Sequence, residues 1–406
     1  MTCVLEGFYQ TNALYQTIHS VMSGVMPCWL ATIATGIMFS LFLVNIFLVS
    51  TALMTWGERR LLGRFQTRIG PNRWGPFGLL QPIADLISLL FKENLIPRGS
   101  DKFLFIIAPI IIMMPVIMVI GVIPLSPGIA LADLNIGVLY ILAITSVTSL
   151  GIFIAGWASD NRFAIFGAVR GVAVLISYEV PVVISLLAIV IVSGSMSLLD
   201  IVEAQAIPFL MVQPMGLLVF FIGSSAEMNR TPFDIAEAES EIIAGYHTEF
   251  SGIKFAIIQA AEYGAMIVTS AIIAVVFLGG WSGPLPEYLG WLWLLIKILV
   301  CVFVFTWVRA TLPRLRIDQI MAFCWKGLLP MSLINLFAVV IETFILKGPE
   351  GQLSVADLWI MCVINTIITV CTVIVLNKLI SNKVDPLRSG SRIVSQEELL
   401  LDGQGD

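Results

Sequence analysis

Histidine is almost missing from this chain: His19 and His247 are the only two in 406 residues. The six cysteines, Cys3, Cys28, Cys301, Cys324, Cys362 and Cys371, include no C-x-x-C pair, and four lie in or beside apolar runs, where they read as helix-packing residues. Together these shortages argue against a buried zinc, haem or iron–sulfur site, so no metal ligands and no redox centre are expected in the chain itself. Charge is also scarce, at 12% against ~25% in a soluble domain. A disordered chain carries far more charge. A water-soluble enzyme cannot hide a hydrophobic content of 58%. Residues 1–27 hold no Lys or Arg, which leaves no basic region for a cleavable signal.

What remains is an integral membrane protein, with a mean hydropathy of +0.96. Barrel strands would alternate in polarity over ~10 residues. Here the apolar runs continue for about 20 residues, the length of a helix crossing ~30 Å of hydrocarbon. The fold class expected is therefore an all-α integral membrane protein. It has about nine transmembrane helices, near 28–54, 103–123, 136–157, 172–192, 209–226, 255–280, 290–309, 327–346 and 358–377. Segments 55–102, 158–171, 227–254, 309–326 and 378–406 hold 20 of the 22 Lys and Arg. The positive-inside rule then puts the N-terminus outside and the C-terminus in the cytoplasm or its equivalent. The organisation expected is an outer segment over 1–27, an eight-helix core over 28–346, an extra helix over 347–377 and a polar tail over 378–406.

Two inner loops stand out. Residues 58–78 pack five arginines among four glycines and two prolines, a basic, tightly turned surface. Residues 79–93 follow with Gln81, Asp85, Ser88 and Lys92 on one helical stripe and leucines, isoleucines and Phe91 elsewhere. That pattern suits an interfacial amphipathic helix, in the headgroup plane or under a partner. Loop 227–254 is acidic instead. Thr231, Pro232 and Asp234 read as a helix start. Asp234, Glu237 and Glu241 would then share one face. A plain solvated acidic face is the alternative for this loop.

Acids inside the spans shift the balance. Glu179 and Glu262 sit seven or eight residues into spans that begin on the inner side, roughly 10–12 Å deep, and Glu227 closes a third span at the same side. An ionisable residue in hydrocarbon is a functional-site hypothesis by default. Three such carboxyls, continuous with the acidic loop, suit proton transfer. The alternative is neutral glutamates that hold helices together. Lys297 reads as snorkelling or structural.

These strings resemble the quinone-chamber membrane subunit, the H-type subunit, of respiratory complex I, the proton-pumping NADH:quinone oxidoreductase. The likeness covers most of residues 30–345. GERRLLGRFQTRIGPNRWGPFGLLQPIAD (57–85) matches the family's first-loop signature and AEMNRTPFDIAEAESEIIAGYHTEFSGIKFA (226–256) its third-loop signature. ISYEVP (176–181) and RATLPRLRIDQIM (309–321) fit as well. Ser88 and Asn94 depart from the charged residues common in the family's loop-1 helix.

The resemblance implies a subunit at the junction of a peripheral redox arm and the membrane arm. It implies no catalytic residue of the chain's own. Quinone would be the substrate, while NADH, FMN and iron–sulfur clusters would belong to partner subunits. Glu179, Glu227, Asp234, Glu237, Glu239, Glu241 and Glu262 would form an acidic proton path. Arg59, Arg68 and Phe233 would lie at the quinone chamber, with spans 1 and 6 and the interfacial helix framing its entrance. Partners would be peripheral-arm quinone-site subunits, neighbouring membrane subunits, quinone and lipid, with no nucleic acid. The host would be a bacterial inner membrane or an organellar energy-transducing membrane. Three other readings stay open: a related subunit of an energy-converting hydrogenase, which co-purification with a nickel subunit would reveal; a free-standing ion transporter, which uptake by the purified chain alone would reveal; and a passive membrane anchor, which neutral behaviour of all the acid substitutions would support.

Overall fold

The computed structural model describes residues 13–24, 26–127, 132–235, 244–346 and 354–388. Fourteen α-helices run in chain order with no strand among the described residues: α1 (Ala13–Ser23), α2 (Cys28–Phe65), α3 (Gln81–Phe91), α4 (Lys102–Ile120), α5 (Gly137–Ala158), α6 (Arg162–Ser193), α7 (Leu198–Glu203), α8 (Phe209–Val212), α9 (Pro214–Glu227), α10 (Gly252–Val276), α11 (Pro286–Thr311), α12 (Ile317–Phe323), α13 (Leu329–Leu346) and α14 (Val355–Arg388). Eight helical segments are long and apolar enough to cross a membrane. The all-α membrane architecture is as expected.

The span expected at 209–226 is divided, which accounts for eight long helices against nine apolar runs in the sequence. Gln213 leaves helical geometry between α8 and α9, and Pro214 opens α9 without an N–H to continue the ladder. The helix start expected at Thr231 is also absent. Residues 231–235 form a turn, with the Phe233 N–H donating to the Arg230 carbonyl at 2.8 Å. Phe233 and Ile235 are both buried, an every-second-residue spacing that a helix would send to different sides. Cys28 is disulfide-bonded rather than a helix-packing cysteine.

At 38 residues α2 is about 57 Å long, well beyond the hydrocarbon core. Its last turns therefore carry Glu58, Arg59, Arg60 and Arg64 into the first loop. The interfacial helix forms as α3, with no buried residue and with Ile83, Leu86, Ile87, Leu90 and Phe91 exposed. Along the body of the fold, α4 packs on α5, α5 on α6, and α6 on α9 and α13. The last six residues of α10, Ala271 to Val276, are all buried. Outward faces of α2, α11 and α14 present Leu, Ile, Val and Phe, as a lipid-facing surface requires.

Candidate functional site

Glu179, Glu227 and Glu262 converge. All three line one cleft among α4, α5, α6, α9 and α10, a space of about 1070 Å³ with its open mouth included. Two close approaches put them there. A Cβ on Gly223 would stand 2.4 Å from Val182 Cγ2. Glycine at that position thus lets α9 lie flush on α6 and brings Glu227 near enough to Glu179 for their charges to interact. Gly245 takes φ +58, and a Cβ on Gly167 would meet its Cα at 2.7 Å. The 245–247 turn therefore seats directly on α6. From that turn the buried Tyr246 hydroxyl donates to Glu262 Oε1 at 2.8 Å.

Apart from the Asn229 amide, the rest of the lining is apolar or hydroxyl-bearing. Thr145, Ser146 and Ser149 of α5 bond carbonyls of their own helix, which leaves oxygen lone pairs on the cleft side. No Lys, Arg or His lines the cleft among the described residues. Such a cleft is able to hold water and to relay protons between carboxyls.

The other expected residues lie elsewhere. Asp234 stands 3.7 Å from Arg314. Phe233 is buried against the Tyr178 ring, centroids 5.4 Å apart, in a separate apolar cluster. Arg59 pairs with Asp85 of α3 at 2.6 Å. Arg68 donates to Gln66 and, with Arg60 and Arg64, rims a second surface pocket over the 69–72 turn. Glu237, Glu239 and Glu241 lie outside the described residues. Lys297 is structural: its ammonium donates to the Gly280 and Ser282 carbonyls at 2.8 and 2.9 Å.

One group escaped the sequence reading. Glu58 is 1% exposed, and both its oxygens accept from Arg230 Nη1, at 3.0 and 3.1 Å. Arg309 at the end of α11 donates to the same carboxylate. Arg230 also lies over the Tyr263 ring, 4.5 Å from its centroid. The triad thus ties α2, the 228–235 turn and α11 together, one residue along α10 from Glu262. No short-range spacing signals it.

The family described as NADH dehydrogenase matches residues 38–340. A protein of Dehalococcoides mccartyi (strain CBDB1), named as the H-type subunit of NADH-quinone oxidoreductase, is 52% identical over 321 residues, 79% of this chain and 89% of its own length. Proteins of the same name from Geobacillus kaustophilus (strain HTA426) and Brevibacillus brevis (strain 47 / JCM 6285 / NBRC 100599) are each 46% identical, over 297 and 322 residues. These cover 71% and 78% of this chain and 89% and 96% of the relatives.

Proposed function

The chain belongs to the NADH dehydrogenase family, and from that premise we propose that its cleft couples quinone reduction to proton movement. It is a membrane subunit of a multisubunit NADH:quinone oxidoreductase, with other subunits of that complex as partners and quinone as the substrate of the whole. The redox cofactors reside on partner subunits. One observation carries the coupling role: three carboxyls from three helices share a cleft with no basic side chain in its described lining. A carboxylate charge in low dielectric is costly. A proton entering or leaving one carboxyl therefore changes the energy of the other two.

The reading extends outward in both directions. Arg68 and its neighbours rim the quinone chamber beside peripheral-arm subunits, while Arg59 holds α3 at the chamber's lipid-side entrance. Phe233 supports the chamber wall from the packed side. Asp234, Glu237, Glu239 and Glu241 serve the same acidic proton path as the cleft carboxyls. The Glu58–Arg230–Arg309 triad stands between the basic loop and the cleft and transmits field changes to Tyr263 and Glu262. The N-terminus faces the outer, oxidising side, where the disulfide at Cys28 belongs.

The test is Glu179→Gln and Glu262→Gln in the assembled complex. Both are expected to assemble and to lose at least about tenfold in proton translocation coupled to quinone reduction, less than the ~100-fold at which the contribution of a positioned acid–base group begins. Full translocation by either assembled variant overturns the coupling role.

A further inference from the structure

The helix that ends at Glu227 has a second polar neighbourhood at its other end, 14 residues away along the chain. Gln213, at the break before α9, is fully buried and its Nε2 donates to the Ala188 carbonyl at 3.1 Å, but its Oε1 has no hydrogen-bond partner. Asn335 of α13 is 1% exposed and its Nδ2 is likewise unpartnered. The two orphan atoms flank Gly216: a Cβ built there would stand 3.2 Å from one and 3.3 Å from the other. Two turns further along the same face of α13 lies Glu342, 7% exposed. Asn365 of α14 donates to its Oε2 at 2.8 Å, and its Oε1 has no partner.

No ion pair to Glu342 exists among the described residues, and Asn365 cannot neutralise a charge. A buried carboxylate without a cation is strongly disfavoured, so the carboxyl takes its neutral form. In that form Oε1 becomes an O–H donor in need of an acceptor. A buried acceptor, a buried amide donor and a buried hydroxyl donor, all unspent, are what ordered water satisfies. One stripe of α14 holds the surround in place: Leu358, Met361, Asn365, Ile368 and Thr372 recur at steps of 3 and 4, and Thr372 reaches Met215 of α9 at 3.5 Å. Glu342 and α14 lie beyond the residues that the family match covers.

We propose that Glu342, Asn365, Asn335 and Gln213 form a second protonatable site, hydrated and sealed by α14, at the end of α9 remote from the cleft. It rests on the chain spanning a membrane and not on the role of the cleft acids. The site carries a neutral carboxyl whose proton exchanges with solvent through bound water.

Infrared spectroscopy of the intact complex in water and in deuterium oxide tests this. The wild type is expected to show a protonated-carboxyl carbonyl band that shifts on transfer to deuterium oxide. Glu342→Gln should delete that band, and Asn365→Leu, which removes the donor to Oε2, should move it to higher frequency. Glu179→Gln and Glu262→Gln should leave it in place, which separates this site from the cleft. An unchanged carboxyl spectrum in Glu342→Gln overturns the proposal, as does a band that never shifts in deuterium oxide. Should Glu342→Gln fail to assemble, the Asn365→Leu spectrum decides alone: a shifted band supports the site and an unmoved one refutes it.

Discussion

Glu58 and the cleft glutamates are the same side chain under opposite electrostatic regimes. Glu58 is buried with two guanidiniums on its carboxylate. Glu179 and Glu227 line one cleft with apolar and hydroxyl-bearing side chains, with no described cation in the lining. A compensated buried carboxylate keeps its charge and fixes geometry. An uncompensated one responds to any proton or field that reaches it. Adjacent residues of α10 join the two regimes, because Tyr263 lies under Arg230 while Glu262 lines the cleft and accepts from Tyr246. Burial alone therefore does not mark a proton-active acid. On the proposed reading, the presence or absence of a fixed cation does.

The sharpest way to break this contrast is to strip the compensated side. Arg230→Leu leaves Glu58 with Arg309 alone and removes the cation from the Tyr263 face. Losing one partner of a buried ion pair costs about 3–5 kcal/mol when the charge is left alone, and Arg309 holds the cost toward the lower figure. The subunit is expected to be largely missing from the assembled complex, with a lowered thermal midpoint in what remains. Native-gel abundance and a melting curve are the measurements, and wild-type values for both would mean that Glu58 is not held by charge.

A gentler change acts on the cleft side. Tyr246→Phe keeps the packed ring and removes only the hydroxyl that donates to Glu262. One hydrogen bond is worth about 1 kcal/mol net. Assembly should be unchanged and proton-linked turnover should fall several-fold. The same loss in quinone reduction by uncoupled, detergent-solubilised complex would place Tyr246 in the electron-transfer step instead.

The two regimes were not equally legible. Hydropathy runs located the membrane helices, and rarity located Glu179 and Glu262, because a carboxyl in an apolar run contrasts with every neighbour. Glu58 has no such contrast: it sits in TWGERRLLGR, where another charge looks ordinary. Its partners lie 172 and 251 residues away in sequence, and each looks there like ordinary inner-side positive charge. The divided fifth span was hidden because Pro208, Gln213 and Pro214 sit among residues apolar enough for an unbroken helix. The turn at 231–235 shows tertiary burial of Phe233 and Ile235 overriding a local helix-start signal.

The smallest effect belongs to the residue next to Glu58. Arg59 is one step, about 100°, around α2, and that rotation carries it out of the core to Asp85 on α3. Its side chain is 46% exposed and that of Asp85 35%. Exposed pairs contribute about 0.2–1 kcal/mol and weaken with salt. Asp85→Asn should shift the melting curve of the complex by no more than about 1 kcal/mol, and the shift should vanish at high ionic strength. A salt-resistant loss as large as that of Arg230→Leu would mean that a neighbouring subunit buries the Arg59–Asp85 pair. Both regimes would then be core electrostatics, and exposure within this chain would no longer distinguish them.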